Sequence, residues 1–143
     1  MGATTKHATL IAGTVLAVLA LFDAALRGAG GAGFWNGVIP VIITAIGTAG
    51  AGFFAAMGES STGQGALAGL LTGAYYGLVN AIIALLQFLF GHVTFDTQSQ
   101  INLILSILGQ LILAGVAGVI LGGLAGLLGN LVAGNRADAS ADA

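Results

Sequence analysis

Four long apolar segments, separated by short polar links, constrain the fold of this chain more than any other feature. We place them at residues 9–26, 34–57, 66–90 and 101–133. A helix needs roughly 20 apolar residues to cross about 30 Å of hydrocarbon, and lipid offers no partners to backbone that is not helical. The sequence therefore predicts an all-α membrane protein, a single domain over residues 1–143 with four transmembrane helices and a polar tail at 135–143.

The composition excludes several classes of protein. The chain is 57% hydrophobic and 6% charged, whereas a soluble domain carries about 25% charged residues. A net charge of −2 provides no basic surface for nucleic acid. The chain contains no cysteine, which excludes thiol nucleophiles and thiolate metal sites. The lipid bilayer is thus the first predicted partner, and nucleic acid is not one.

Two rows of glycine predict how the helices pack. Residues four apart lie on one face of a helix, so a glycine at every fourth position leaves a stripe without side chains. Such stripes let two membrane helices approach closely. The predicted packing residues in the third and fourth spans are Gly65, Gly69, Gly73, Gly77, Gly118, Gly122 and Gly126.

One antiparallel register accounts for both the glycine rows and the polar residues. Placing Gly65–Gly77 against Gly118–Gly126 sets the early end of the third span beside the late end of the fourth. The same register places Asn80 and Gln87 opposite the polar start of the fourth span, which contains Asn102, Ser106 and Gln110.

These amides and the serine allow two interpretations. An unpaired amide in lipid is costly, so each needs a partner or a watery cavity. Hydrogen bonds between helices would stabilise the bundle by on the order of 1 kcal/mol each. The alternative is a polar lining for a pore. We favour the hydrogen-bonding interpretation.

Asp23 and Arg27 lie four residues apart at the end of the first span. An ion pair at the membrane surface, with Arg27 reaching toward water, is the preferred interpretation. The alternative is an intramembrane carboxylate on a proton or ion path.

The remaining motifs do not predict a cofactor or a metal. GAGGAG at residues 28–33 matches a dinucleotide fingerprint, but the fingerprint needs a preceding strand and a later acidic residue, so a turn is preferred. His92 and Asp96 are only two candidate ligands, whereas zinc needs at least three. Neither catalytic, cofactor-binding nor metal-binding residues are predicted.

The two ends of the chain raise questions of processing and orientation. The first span is predicted to remain, although its apolar centre at 10–22 also resembles a cleaved signal peptide. The last span would measure about 50 Å as one helix, so we expect it to tilt, to protrude or to break, with Gly122-Gly123 as the preferred position of a break. Lys6 and Arg136 lie on the side opposite Arg27, which predicts cytoplasmic termini.

Residues 58–134 contain two related glycine-rich motifs that resemble a known class of membrane protein. GALAGLLTG begins at Gly65, and the related GGLAGLLGN begins at Gly122 near a short polar tail. This arrangement is similar to the small glycine-rich multi-pass membrane proteins of haloarchaea and of the internal membranes of archaeal viruses. The resemblance implies a location in a cell membrane or a viral internal membrane, and it implies no catalytic residues.

The sequence favours a structural or assembly role. The chain is predicted to pack with itself, as a homo-oligomer, or into a larger membrane complex. The alternative is an oligomeric pore, channel or holin-like permeabiliser with an amide-lined lumen. A transporter would need a central ionisable group, and an enzyme would need a catalytic constellation.

Overall fold

Four helices make up the architecture. In a computed structural model, the described residues are 2–28, 38–90 and 97–141, with side chains described within 2–25, 41–90 and 100–135. The helices are α1 (Ala3–Gly28), α2 (Val38–Glu59), α3 (Thr62–Phe90) and α4 (Thr97–Ala141). The prediction of an all-α protein with four helices is confirmed.

Each helix contains a stretch that is long and apolar enough to cross a membrane, at Ala3–Ala25, Val41–Glu59, Thr62–Phe90 and Gln100–Asn135. Large aliphatic side chains on every helix point outward; Ile11, Val41 and Leu113, for example, are 66%, 67% and 71% exposed. Such a surface is far more apolar than a soluble monomer tolerates. It suits contact with lipid, and the chain is an integral membrane protein.

The central helices are α2 and α3. They pack against each other, α1 packs on both, and α4 packs on both from another side. The described parts of α1 and α4 do not pack directly against each other. The start of α1, the end of α2, the start of α3 and the late part of α4 lie together, and we call this end of the bundle the terminal face. The other end is the opposite face.

The longest helix, α4, is continuous. It has 45 residues and passes through Gly122-Gly123 without interruption, so a break there, one of the three predicted alternatives, does not occur. Packing explains the continuity: Gly122 lies against the backbone of α3, and a Cβ on Gly123 would lie 3.7 Å from Ala66 Cβ. Neighbouring helices hold in place a segment that is weakly helical by itself. The tail expected from residue 135 is also helical, as far as Ala141.

The helix α4 is longer than its neighbour α3. With 45 residues it measures about 68 Å, whereas α3, with 29 residues, measures about 44 Å. Gly126 already lies beside Thr62, the first residue of α3. The last part of α4 therefore projects beyond the terminal face.

Some predictions fall outside the described residues. They concern the turn at residues 29–33, the side chain of Arg27, and both His92 and Asp96. The tilt of α4 and the orientation in the membrane stay predictions.

Candidate functional site

The interface between α3 and α4 is built from backbone. A Cβ on Gly65 would lie 2.7 Å from Gly126 Cα, and one on Gly122 would lie 2.6 Å from Gly69 Cα. Side-chain carbons do not approach so closely, so only glycine fits at these positions. The structure places the two glycine rows against each other in the antiparallel register that the sequence predicts.

The other end of the rows continues this contact. A Cβ on Gly73 would collide with the backbone oxygen of Ala114, whereas one on Gly77 would lie 3.2 Å from the backbone oxygen of Gln110. The helices therefore stay in close contact as far as Gly73 and are looser at Gly77.

A third helix joins this contact near the terminal face. Gly52 of α2 lies against the backbone of Gly122, and Gly129 of α4 lies against the backbone oxygen of Phe53. Ala55 and Ala56, on the same part of α2, are fully buried. Three helix backbones therefore converge in this half of the bundle. The glycine rows are occupied within one chain.

In the other half, α1, α3 and α4 surround a small polar pocket. Asp23, Asn80, Gln87 and Gln110 line this cavity, which has a volume of about 100 Å³. The sequence placed Asn80 and Gln87 opposite Gln110, and the structure brings these three amides to the same cavity. It adds Asp23, which the preferred interpretation had assigned to the membrane surface. The predicted ion pair with Arg27 stays a prediction, because that side chain is not described.

The hydrogen bonds of two of these amides differ from the expectation. Asn80 Nδ2 donates to the backbone oxygen of Tyr76 at 2.9 Å, and Gln110 Nε2 donates to Ser106 Oγ at 3.3 Å. Each bond lies within one helix, because each side chain reaches the preceding turn of its own helix. The sequence favoured hydrogen bonds between helices for these residues. Gln110 Oε1 is buried and has no hydrogen-bond partner among the described residues.

The other two predicted lumen residues lie outside the pocket lining. Asn102 and Ser106 of α4 are both exposed, as is Gln87 at the rim of the pocket.

A larger cleft separates α2 from α4 toward the opposite face. Its volume is about 460 Å³, its walls come from α2 and α4, and its floor comes from α3. The walls are largely aliphatic, with Val41 on α2 and Leu113 and Leu121 on α4. The amides Asn80 and Gln110 line both this cleft and the polar pocket. We call this space the α2–α4 cleft.

A groove runs along α1 and α2 on another side of the bundle. It has a volume of about 400 Å³, and its small lining residues are Ala8, Ala12, Gly47, Gly50 and Ala51. A Cβ on Gly50 would meet no atom within 4 Å. The groove also includes the bulky side chains of Ile11, Ile46 and Phe54. We call it the α1–α2 groove.

Sequence reasoning did not find a polar cluster at the terminal face. Thr5, fully buried in α1, donates from its backbone N to Glu59 Oε1 at 2.8 Å and from its hydroxyl to the same oxygen at 2.9 Å. Its hydroxyl also lies 3.0 Å from the side-chain amide oxygen of Gln64. A carboxylate at a helix N-terminus is favourable because the first N–H groups lack partners within the helix. The available signal was Glu59 itself, a lone glutamate at the end of an apolar span.

Among the described residues, no three His, Asp or Glu side chains come together as a metal site. No protein-family model, curated protein or solved structure matches this chain.

Proposed function

We propose that this chain is a structural membrane protein that assembles with a second copy of itself through the α1–α2 groove. The observation that carries the proposal is the open position at Gly50, on a face of small residues that no helix within residues 2–28, 38–90 and 97–141 covers.

The groove is self-complementary in shape. Small residues form shallow sites, and Ile11 and Ile46, which are 66% and 67% exposed, stand beside them as ridges. Two copies related by a two-fold axis can place the ridges of each in the shallow sites of the other. Two-fold dimers are the commonest symmetric assemblies, and small residues are enriched where membrane helices meet.

The α3–α4 rows are a poorer candidate for this contact. The Cβ positions of Gly65, Gly69 and Gly73 are filled by the backbone of α4. A neighbouring chain could use them only if this bundle opened.

The test compares two glycines that both have open Cβ positions. Gly50 lies in the groove, whereas Gly109 lies on α4 outside it, and a Cβ on either would meet no atom within 4 Å. Leucine at either position should therefore leave the fold of one chain intact. Native mass spectrometry from a mild detergent would report the oligomeric mass of the wild type, Gly50→Leu and Gly109→Leu.

We expect a dimer for the wild type and for Gly109→Leu, and a monomer for Gly50→Leu. A monomeric wild type, or a dimer that survives Gly50→Leu, would contradict assembly through the groove.

A second candidate is a pore formed between copies. Its support is the exposure of three polar side chains, Gln87, Asn102 and Ser106, among the aliphatic residues near the opposite face. Side chains of this kind in a membrane mark contacts or watery paths. Ion flux across liposomes containing the protein would test the pore: flux that falls when Asn102 and Ser106 are replaced by leucine and alanine would favour it, and the absence of flux would exclude it.

A further inference from the structure

We propose that the α2–α4 cleft binds a membrane amphiphile: a single apolar chain whose head group carries a hydroxyl. This site goes beyond the proposed assembly. It shares no lining residue with the α1–α2 groove.

The dimensions of the cleft suit such a ligand. A volume of about 460 Å³ lies within the roughly 300–1,000 Å³ range of small-molecule pockets. Along α4 the lining extends from Gln110 to Leu121, which is about 16 Å of helix. This length is roughly half of the 30 Å hydrocarbon thickness of a bilayer, so it matches the depth of one leaflet.

The cleft has a closed apolar end and a polar end. It narrows toward the terminal face, where Gly52 of α2 meets Gly122 of α4 in backbone contact. Deep in the cleft, the hydroxyl of Thr48 donates within its own helix, with Oγ1 at 2.8 Å from Thr44 O and 3.1 Å from Ala45 O. The hydroxyl hydrogen of Thr48 is therefore not free to bind a ligand. Asn80 and Gln110 line the end toward the opposite face, where Val41, near the start of α2, also lines the cleft.

The polar end lacks a hydrogen-bond donor for one buried oxygen. Gln110 Oε1 is buried without a partner among the described residues, and a buried acceptor without a donor is unfavourable. Asn80 and Gln110 each use one amide hydrogen for an acceptor on their own helix, at 2.9 Å and 3.3 Å, and each amide nitrogen keeps a second hydrogen. A hydroxyl both donates and accepts, so it can supply the donor that Gln110 Oε1 lacks, while the attached chain extends into the aliphatic part of the cleft.

The experiment uses the full-length protein in lipid nanodiscs and two photoactivatable probes. One is a sixteen-carbon alcohol with a diazirine near the middle of its chain, and the other is its methyl ether, which cannot donate. Mass spectrometry of the peptides would locate the label, and titration would give the concentration for half-maximal labelling.

Two variants separate the cleft from the general surface. Ala117→Phe fills the cleft, because Ala117 is an exposed lining residue. Val116→Phe is the matched control, since the neighbouring Val116 is 53% exposed and is not part of the lining. Gln110→Leu removes the acceptor and keeps a side chain of similar size.

We expect the alcohol to label α2 and α4 along the cleft at about one fifth of the concentration that the ether needs, the ratio given by one hydrogen bond of about 1 kcal/mol. Ala117→Phe should abolish this labelling and Val116→Phe should not. Gln110→Leu should make the two probes equal. Labelling spread evenly over the outer surface, equal labelling by both probes in the wild type, or labelling that persists in Ala117→Phe would overturn the proposal.

Discussion

At the scale of single residues, glycine is unfavourable within a helix by about 0.5–1 kcal/mol relative to alanine. The rows in α3 and α4 offset this cost with backbone contact. These contact positions in α3 and α4 could be predicted from the sequence, because the four-residue spacing of glycine alone identifies the positions that must lack a side chain.

Gly69→Leu should destabilise the protein by about 3 kcal/mol or more, because the added side chain collides with the backbone of Gly118 and Gly122. Gly109→Leu is the control, since its Cβ position is open. The free energy of unfolding in mixed detergent micelles measures both. Equal stabilities would mean that the α3 row is not in contact with α4.

The buried hydroxyls of α1 give a second contrast at this scale. Thr5→Val should cost about 1–3 kcal/mol, because it removes a hydrogen bond to the carboxylate of Glu59. Thr9→Val should be neutral or stabilising, because the buried Thr9 hydroxyl has no partner among the described residues. The same unfolding measurement tests both, and a larger loss for Thr9→Val would contradict the assignment.

The polar side chains were only partly predictable. Helical periodicity places Asn80 and Gln110 on facing sides, and both line the same cavities. Helical periodicity does not determine which acceptor a side-chain amide reaches. The amides of Asn80 and Gln110 both donate to the preceding turn of their own helix. The link from Thr5 to Glu59 joins residues 54 apart, and no spacing rule connects them.

At the scale of elements, α4 is where local rules and the structure disagree. Gly122-Gly123 predicts a break by propensity, but α3 and α2 cover Gly122 and keep the helix continuous. Packing against neighbours overrides propensity in most protein helices. The length of α4 alone could not distinguish a broken helix from one that projects beyond its neighbours.

The contact between α2 and α4 depends on one glycine. Gly52→Ala should destabilise the protein by about 1–3 kcal/mol, because its Cβ would overlap the backbone of Gly122 and push α2 away from α4. Gly50→Ala, two residues earlier on the same helix, has an open Cβ position and should be neutral or slightly stabilising. Thermal unfolding in detergent distinguishes the two variants. If Gly50→Ala were destabilised and Gly52→Ala were not, Gly52 would not be the residue of α2 that faces α4.

At the scale of the whole molecule, the bundle has two unlike halves. Near the terminal face, α2, α3 and α4 meet through their backbones. Toward the opposite face the helices separate around the polar pocket and the α2–α4 cleft. The sequence predicted the number of helices and the pairing of α3 with α4. It did not predict the cleft, because a cavity depends on how far two helices diverge, which periodicity does not report.

The central claim is that the glycine rows close within one chain, and an introduced disulfide tests it most directly. The chain has no cysteine of its own. A Cβ on Gly123 would lie 3.7 Å from Ala66 Cβ, within the roughly 3.5–4.5 Å that a disulfide requires. Ala66→Cys and Gly123→Cys would be combined in one chain, and also prepared separately in differently tagged copies and mixed before membrane extraction.

After mild oxidation, we expect the double variant to lose both free thiols and remain a single chain on a denaturing gel, while the mixed single variants stay uncrosslinked. Efficient crosslinking between the mixed copies, with the double variant migrating as a covalent dimer, would mean that the rows pair between chains and would contradict the account.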